Sequence, residues 1–510
     1  MNRDKNIRLL EEQEKWDLVV IGGGATGLGA ALDAVTRGMK VLLIEKHDFS
    51  KGTSSKSTKL IHGGVRYLKN LEFRLVKKAL KERYILKKNA PHLVRSINFI
   101  IPVYSWFHFL IYGIGLKFYD LISGKWSFGG TRLLGREKTI AHLKTLKNTG
   151  LKGGVQYKDG QFDDARFAIS LAHTIEKEGG TLLNHFEFLS LKKTNKKTTH
   201  ITGFDRIKEE EHLVISRYLI NATGVFSNNF MISISDQFKI RASRGTHIVL
   251  DRSFLKSESA IMIPKTNDGR VLFVIPWHQQ TLIGTTDEES VNLNIDQIVP
   301  QEDLNFILNN VKNYLTKQPQ KADIKSMFTG LRPLVSKNKT SSTSQLSRDH
   351  TLHRSQDGVL HVLGGKWTTY RLMGQEAMNY LLKDEKTNFR SSKTETLKLF
   401  GFREHADFND PLHVYGSERE KLRNFGSLES FSEKFFICEA LIVYAINIEM
   451  AMTLEDILAR RTRCLFIDAT ETLKIAPEVA QIMATVLKMD DKWTANQLDL
   501  FIPLASKYII

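Results

Sequence analysis

Three glycines near the start of the chain have the spacing of a phosphate-binding loop. Gly22, Gly24 and Gly27 follow the pattern GxGxxG. The first allows a tight turn, the second lets the backbone approach a pyrophosphate, and the third lets a helix pack closely on a strand. Glu45 follows about twenty residues later, where a carboxylate can accept both hydroxyls of a ribose. The pattern predicts a dinucleotide site at a helix N-terminus.

The elements around this loop are the ones that such a site requires. Residues 17–21 form a β-branched apolar run typical of a buried parallel strand, residues 25–36 predict a helix, and residues 40–44 predict a second strand. This unit alone is compatible with FAD or NAD. No second GxGxxG follows a strand, which argues against a separate nicotinamide domain. A single embedded nucleotide indicates a flavin that meets its substrate directly.

Apolar periodicity predicts further helices and strands along the chain. Helices are expected at residues 72–88, 164–178, 301–315 and 369–382. Strands are expected at residues 214–220, 261–263, 271–275, 281–283 and 359–363. Residues 383–396 are polar and predict a linker, and the chain from about residue 431 onward is expected to be almost entirely helical.

The composition is that of a folded protein with more than one domain. A chain of 510 residues suggests two or three domains, and a hydrophobic fraction of 42% is ordinary for a globular protein. Cys438 and Cys464 lack metal-ligand or CxxC spacing, which favours a reduced, intracellular protein. Residues 1–15 lack the apolar core of a signal peptide, so export is not expected.

The formal net charge of +17 calls for an anionic partner. Nucleic acid, an anionic membrane surface or an anionic substrate could each account for it. The basic residues are scattered, and their densest group, at residues 192–197, is typical of a solvated hairpin or loop. A concentrated basic surface is what nucleic-acid binding requires, so no nucleic acid is expected.

Residues 97–116 contain no Asp, Glu, Lys or Arg but many aromatic residues. Pro102, Gly113 and Gly115 interrupt this segment, which argues against a membrane-spanning helix. Two interpretations stay open. Either the segment is wholly buried core, or it is partly core and partly a surface that dips into a membrane without crossing it.

Residues 53–67, TSSKSTKLIHGGVRY, closely resemble a segment of the FAD-dependent glycerol-3-phosphate dehydrogenases. Further matches follow in that family's order at residues 163–166, 221–224, 245–249, 273–277, 283–287, 330–333, 364–371 and 453–463. The resemblance spans roughly residues 16–485. There are two departures: Trp367 stands where the family often has leucine, and the stretch before Asn148 is variable.

The resemblance implies an α/β fold with a glutathione-reductase-like FAD-binding domain, an antiparallel-sheet cap domain and an α-helical C-terminal domain. We expect the FAD-binding domain to comprise residues 1–75, 150–240 and 331–390. The cap would comprise residues 76–149 and 241–330, and the helical domain residues 391–510. Arg460, Arg461 and Arg463 are expected to join the helical domain to the FAD-binding domain.

The activity that the resemblance implies is oxidation of sn-glycerol 3-phosphate to dihydroxyacetone phosphate, by hydride transfer to FAD. Electrons would pass to a membrane quinone. The protein would then be peripheral, on the cytoplasmic face of the inner or plasma membrane, with an anionic membrane surface as partner. A homodimer is left open.

Oxidation of a secondary alcohol needs a base for the hydroxyl proton, and its phosphate needs cations. The family motifs supply His247 as base and Arg332 to stabilise a developing alkoxide, although His247 could instead only orient the substrate. The residues predicted to bind substrate are Arg66, Tyr67, His247, Arg332, Lys366 and Arg371. The residues predicted to bind the cofactor are Gly22, Gly24, Ala25, Thr26, Gly27, Glu45, Lys46, Thr53, Ser54, Ser55, Ser57, Lys59, His62, Gly63, Gly64, Ala222, Thr223, Gly224, Gly365, Lys366 and Thr368.

Several alternatives share parts of this pattern. A glycerophosphate oxidase would differ mainly in using oxygen as acceptor, and a related amine or amino-acid oxidase would need a carboxylate-binding site. A flavin-dependent RNA-modifying enzyme would need a concentrated basic surface. A non-catalytic escort protein is disfavoured by the cations at Arg66, His247, Arg332 and Lys366.

Overall fold

A computed structural model describes residues 1–65, 72–195, 198–230, 238–266, 268–336, 349–383 and 388–510. Its strands are β1 Trp16–Ile21, β2 Val41–Ile44, β3 Leu60–Ile61, β4 Val94–Val103, β5 Arg132–Gly135, β6 Gly153–Phe162, β7 Thr181–Leu183, β8 Phe186–Asn195, β9 Thr198–Asp205, β10 Glu210–Asn221, β11 Lys239–Asp251, β12 Ala260–Ile263, β13 Leu272–Trp277, β14 Gln280–Gly284, β15 Glu288–Ser290, β16 Ile324–Ser336, β17 His350–Arg354 and β18 Leu360–Gly364.

The α-helices are α1 Arg3–Glu12, α2 Ala25–Thr36, α3 Phe73–Asn89, α4 Trp106–Ser123, α5 Arg136–His142, α6 Asp164–Lys177, α7 Ser227–Phe230, α8 Gln301–Val311, α9 Tyr370–Leu382, α10 Glu439–Glu449, α11 Cys464–Ile467, α12 Ala469–Leu487 and α13 Asp491–Ser506. A π-helical turn covers Asp456–Arg461. The helices predicted from periodicity all occur within a few residues of their expected bounds. Both cysteines are free and buried.

The first sheet carries the predicted βαβ unit at its centre. Its strand order is β17-β18-β10-β1-β2-β7, with the β8–β9 hairpin on β10. β1 is parallel to both β2 and β10, so its apolar residues are covered on both faces and Leu18, Val19 and Val20 are fully buried. Lys192 and Lys193 lie on the β8–β9 hairpin, as predicted, whereas residues 196–197 fall outside the described residues.

The second sheet is mostly antiparallel, with the order β15-β11-β14-β13-β12-β4-β6-β3. β16 pairs with β11 along its length, and β5 pairs with β6. β3, β6 and the end of β16 belong to this sheet although the predicted boundaries assign residues 60–61, 153–162 and 331–336 to the FAD-binding domain. Strand pairing is set by contacts distant in sequence, which periodicity does not reveal. The three-domain division stays a prediction.

The C-terminal part is helical from α10 onward, while residues 431–438 just before it contain no helix. Its apolar side chains join those of the second sheet in one buried cluster, in which the Phe466 and Phe328 rings lie 4.8 Å apart. Arg460 and Arg461 hydrogen-bond to Asp48, and Arg463 hydrogen-bonds to Asp164. These contacts tie the C-terminal part to Asp48 and Asp164, which is compatible with the role expected of the three arginines.

Residues 97–116 divide into a buried part and an exposed part. Strand β4 lies inside the second sheet, and most of its apolar side chains are buried. Helix α4 instead presents Trp106, Phe107, Leu110 and Ile114 to solvent, each more than 60% exposed. The interpretation as wholly buried core is wrong for α4. Among the described helices, none combines the length and apolarity needed to cross a membrane.

Candidate functional site

A cavity of about 970 Å³ lies against both sheets, and we call it the main cavity. The first sheet contributes the ends of β1 and β2 and part of β8, and the second sheet contributes parts of β11, β13 and β16. Many residues of the segment 50–65, together with residues 222–226 and 364–368, complete its wall. Its volume is within the range of cofactor and ligand sites, which is about 300–1,000 Å³.

The glycine loop has the shape that a close-lying pyrophosphate requires. Gly22 has φ +108°, and a Cβ added there would lie 2.6 Å from the carbonyl oxygen of Ala222. A Cβ on Gly27 would lie 1.8 Å from the carbonyl oxygen of Gly22. Gly24, Ala25 and Thr26 at the N-terminus of helix α2 line the main cavity, and the Ala25 amide donates to the Ser54 hydroxyl. These features fit a dinucleotide cofactor.

Glu45 is held at the end of β2 by two backbone amides. Its carboxylate accepts hydrogen bonds from Gly23 N at 2.7 Å and His47 N at 2.9 Å. Burial raises the pKa of Glu45, and these two hydrogen bonds oppose that rise. The side chain lines the main cavity, where its position suits the ribose contact expected from the sequence.

Most residues predicted to hold the cofactor line the main cavity. They are Gly22, Gly24, Ala25, Thr26, Glu45, Lys46, Thr53, Ser54, Ser57, His62, Gly64, Ala222, Thr223, Gly224, Gly365, Lys366 and Thr368. Gly27 lies behind the wall, where it permits the close packing of α2. Gly63 packs against helices α3 and α4, because a Cβ there would lie 2.0 Å from the Tyr119 hydroxyl.

Lys59 and Ser55 are also behind the wall of the main cavity. The ammonium of Lys59 is fully buried and donates to the Asp164 carboxylate at 2.7 Å and to the Ser55 carbonyl oxygen at 2.6 Å. Burial lowers the pKa of Lys59 to about 7, while Asp164 opposes the shift. The structure therefore places Lys59 in an internal ion pair and not on a pyrophosphate, because Asp164 satisfies its charge.

His247 and Arg332 both line the main cavity, and they stand on the neighbouring strands β11 and β16. Two glycines make room for them. A Cβ on Gly284 would lie 2.2 Å from the His247 ring, and a Cβ on Gly245 would lie 2.3 Å from the Arg332 guanidinium. The predicted catalytic pair is thus brought to a single wall by strand register.

The imidazole of His247 is buried and held on two sides. Its Nε2 lies 2.9 Å from the Thr58 hydroxyl, and its ring stacks on Phe328 at 5.0 Å. Burial lowers the pKa of His247 well below its usual value, and the charges of Lys59 and Arg332 lower it further. This environment favours the neutral imidazole, in which one nitrogen carries a lone pair.

Arg332 is oriented by the loop that follows β14. Its guanidinium donates to the Thr285 hydroxyl at 2.8 Å and to the Thr286 carbonyl oxygen at 3.1 Å, and it lies 3.7 Å from the Asp287 carboxylate. Lys366 also lines the main cavity. Cations on one concave surface suit an anionic substrate.

Arg371 lies away from the main cavity, in contrast to its predicted substrate contact. It is buried and donates to both oxygens of Glu82, at 2.7 and 2.6 Å. A buried guanidinium needs such a carboxylate partner, and this pair joins α9 to α3. Arg66 and Tyr67 lie outside the described residues.

Sequence reasoning missed several residues of the cavity wall. Thr58 belongs to a run of hydroxyl residues in which no pattern marks it out. Arg270 and Asp287 also line the main cavity. Trp367, noted in the sequence only as a departure, donates its indole N–H to the Ser54 carbonyl oxygen at 2.8 Å.

Two family models match the chain. One, described as FAD dependent oxidoreductase, matches residues 17–377, and the other, described as C-terminal domain of alpha-glycerophosphate oxidase, matches residues 363–494. The fold and the site thus define an FAD-dependent oxidoreductase, with FAD as its cofactor and the expected α/β architecture.

Comparison with individual proteins indicates which family of FAD-dependent oxidoreductases the chain belongs to. The chain is 34% identical to the mitochondrial glycerol-3-phosphate dehydrogenase of Macaca fascicularis, over 98% of this chain and 74% of the relative. It is 37% identical to the probable mitochondrial enzyme of that name from Dictyostelium discoideum, over 97% of this chain and 85% of the relative. The X-ray structure of the glycerol-3-phosphate dehydrogenase from Bacillus halodurans complexed with FAD matches with a TM-score of 0.81 at 25% identity, covering 99% of this chain and 97% of that one. The chain belongs to the FAD-dependent glycerol-3-phosphate dehydrogenase family.

Proposed function

We propose that this protein oxidises sn-glycerol 3-phosphate to dihydroxyacetone phosphate. The observation that carries the proposal is that His247 and Arg332 share one cavity with the cofactor loop. The proposed base and a cation therefore line the same cavity as the site for FAD. The names of the relatives supply the identity of the substrate.

Each residue has a distinct task in this reaction. Bound FAD supplies the acceptor for the hydride that leaves the substrate carbon. His247 accepts the proton of the hydroxyl on that carbon, which its neutral imidazole can do. Arg332 holds negative charge on the substrate through its planar fork, and Lys366 adds a second positive charge.

The low pKa of His247 is compatible with its role as base once substrate is bound. Part of that low pKa comes from the positive charge of Arg332. A phosphate dianion bound near Arg332 offsets this charge, and the pKa of His247 rises as a result. The base thus becomes stronger when the substrate is present. Arg66 and Tyr67 are further proposed contacts for the phosphate.

The proposed electron acceptor is a membrane quinone, and the support for it is the surface of α4. Seven apolar residues of this helix are more than 40% exposed: Trp106, Phe107, Leu110, Ile111, Ile114, Phe118 and Leu121. The Phe73 ring on basic helix α3 lies 5.7 Å from Phe118, so cationic and apolar surfaces adjoin. This combination suits peripheral docking on an anionic bilayer, proposed to be the cytoplasmic face of the inner or plasma membrane.

Oxygen is a second candidate acceptor. It is favoured by one observation, the match of residues 363–494 to a model described as the C-terminal domain of alpha-glycerophosphate oxidase. Such an enzyme would use the same substrate site and would not need the exposed face of α4. The acceptor must therefore be tested separately from the substrate.

Anaerobic stopped-flow absorbance tests both parts of the proposal. Glycerol 3-phosphate should bleach the bound flavin, and glycerol or amino acids should not. Adding a soluble quinone to the reduced protein should restore the flavin absorbance faster than adding air. Absence of bleaching by glycerol 3-phosphate would refute the substrate, and faster recovery in air would favour the oxidase.

Substitution tests the two catalytic residues. His247→Ala and Arg332→Ala should each abolish flavin reduction by glycerol 3-phosphate while FAD stays bound, because neither side chain is needed to hold the glycine loop. Rapid reduction in either variant would remove that residue from the mechanism.

A further inference from the structure

The hydroxyl of Thr58 contacts the residue assigned as the base. Thr58 Oγ1 lies 2.9 Å from His247 Nε2, and both residues line the main cavity. His247 is only 2% exposed, so few groups can reach its ring. A hydroxyl can either donate to an imidazole nitrogen or accept from it, so this contact fixes the position of Nε2 whichever nitrogen carries the proton.

The segment that carries Thr58 is braced by one buried carboxylate. Asp164 accepts hydrogen bonds from Ser57 N at 3.1 Å and from the Ser57 hydroxyl at 2.7 Å. It also accepts from Lys59 Nζ at 2.7 Å. The residues on both sides of Thr58 are therefore tied to the N-terminal end of α6.

The C-terminal part of the chain completes this brace. Arg463 donates to Asp164 Oδ1 at 3.1 Å and to the Ser55 carbonyl oxygen at 3.0 Å. Asp164, Lys59 and Arg463 are each at most 1% exposed. Buried charges that satisfy one another in this way have few alternative arrangements, so the backbone of residues 55–59 is fixed.

We propose that Thr58 is a positioning residue that sets the orientation of His247, and that Asp164 and Arg463 hold Thr58 in place for this purpose. The proposal rests on the proposed function, in which His247 is the base. It adds a role for a hydroxyl that the family motifs do not single out. It also gives the C-terminal part a task at the reacting centre, through a chain of contacts from Arg463 to His247.

Loss of the Thr58 hydroxyl should lower the rate of flavin reduction and leave substrate binding unchanged. Without the hydroxyl, the imidazole loses the contact that fixes the position of Nε2, and fewer molecules then hold the ring in the productive orientation. Arg332 would be unaffected, because Thr285 and Thr286 hold it. The limiting rate should fall while the affinity for substrate changes little.

The experiment compares Thr58→Val with Thr58→Ser in the FAD-loaded protein. Valine keeps the shape of threonine and removes the hydroxyl, whereas serine keeps the hydroxyl. Thr281→Val is the matched control, because Thr281 is fully buried, donates to the Asp251 carbonyl oxygen at 3.1 Å and does not line the main cavity. FAD content and the midpoint of thermal unfolding are measured for each variant.

Stopped-flow reduction by glycerol 3-phosphate is the readout. Thr58→Val should lower the limiting rate of flavin reduction at least about tenfold. General acid–base catalysis accelerates a reaction by a factor of ~10²–10⁴, and a misplaced base should lose part of that factor. The apparent Kd of Thr58→Val for substrate should stay within about twofold of the wild-type value, since only the orientation of His247 has changed. Thr58→Ser keeps the hydroxyl and should therefore recover most of the rate. Thr281→Val should reduce like the wild type.

The possible failures are distinguishable. If the wild type is not reduced by glycerol 3-phosphate, the proposed function itself is wrong. If His247→Ala abolishes reduction but Thr58→Val reduces at the wild-type rate, the function stands and the role of Thr58 is refuted. A loss in Thr58→Val that appears only in the apparent Kd, or that serine does not restore, also refutes it.

Discussion

Arg461 forms a two-point ion pair with Asp48, its guanidinium donating at 2.6 and 2.9 Å to the two carboxylate oxygens. Both side chains are fully buried. Asp48 follows β2 close to Glu45, so this pair joins the C-terminal part of the chain to the cofactor-binding part. Arg460 donates to the same carboxylate at 2.5 Å.

Asp48→Asn should destabilise the protein by about 3–5 kcal/mol, because it leaves two buried guanidinium groups with less negative charge to balance them. Urea unfolding of the FAD-loaded protein measures the change. Lys474→Gln is the control, since the Lys474 side chain is 70% exposed in its pair with Glu471 and surface pairs contribute about 0–1 kcal/mol. Equal stability losses in the two variants would contradict the prediction.

Trp367 should retain FAD through its contact with Ser54. The indole N–H donates to the Ser54 carbonyl oxygen, and the Ser54 hydroxyl accepts from Ala25 N at 2.9 Å, at the start of the helix that faces the cofactor. Trp367→Phe removes the N–H but keeps a ring among Phe162, Phe167 and Tyr370. Since a hydrogen bond contributes about 0.5–1.5 kcal/mol, FAD should dissociate up to about tenfold faster.

The release of FAD is measured from the rise of flavin fluorescence after dilution. Trp367→Leu should release FAD faster still, because it also loses the packing of the ring. If both variants hold FAD as long as the wild type does, the contact with Ser54 has no role in retention.

The sequence predicted the site best where the residues that form it are close together in the chain. The βαβ unit, the glycine loop and Glu45 are local, and all are found where they were predicted. His247 and Arg332 are far apart in the chain and were placed together only through the resemblance. Their actual proximity depends on the pairing of β11 with β16, which no local pattern specifies.

The errors arose where a charged side chain had a partner that the sequence could not reveal. Lys59 and Arg371 both stand in segments with binding motifs, and both are instead neutralised inside the protein, by Asp164 and Glu82. Charge and motif membership do not show which way a side chain points. Thr58 was missed for the opposite reason, since a single hydroxyl has no recognisable spacing.

His350 should make stability depend on pH. Burial alone would lower its pKa, but hydrogen bonds to Asp349 and Glu376 raise the pKa to about 9. A group whose pKa is raised in the folded state stabilises it fully below the unfolded pKa, about 6.5, and loses that contribution as the pH rises through the folded value. Lys78 lies near both carboxylates and weakens the effect.

His350→Gln should therefore lower the free energy of unfolding by about 1–2 kcal/mol at pH 6 and by almost nothing at pH 10. The value at pH 6 is small because the two carboxylates are partly exposed to solvent, which screens their charge. Urea unfolding at the two pH values measures the difference. His142→Gln is the control at an exposed histidine and should cost little at either pH. A cost for His350→Gln that is the same at both pH values would contradict the assignment.

Helix α4 should dock the protein on anionic membranes through its exposed apolar residues. A variant with Leu110→Ser, Ile114→Ser and Leu121→Ser changes side chains that are 62%, 62% and 76% exposed, so folding should be unaffected. Burial of such a side chain contributes about 1.5–3 kcal/mol, so binding to anionic liposomes should weaken on the order of 100-fold or more. Leu213→Ser, at an equally exposed leucine on β10, is the matched control and should leave binding unchanged.

Flotation at low and high salt separates the two contributions to this docking. Salt should weaken binding of the wild type, because it screens the attraction between basic residues and anionic lipid, and the apolar contribution should persist. Flavin reduction by glycerol 3-phosphate should be the same in the triple variant and the wild type, because none of the three substituted residues lines the main cavity. Electron transfer to a quinone held in the liposomes should fall in the triple variant. If that variant still floats like the wild type, the apolar face of α4 is not the docking surface.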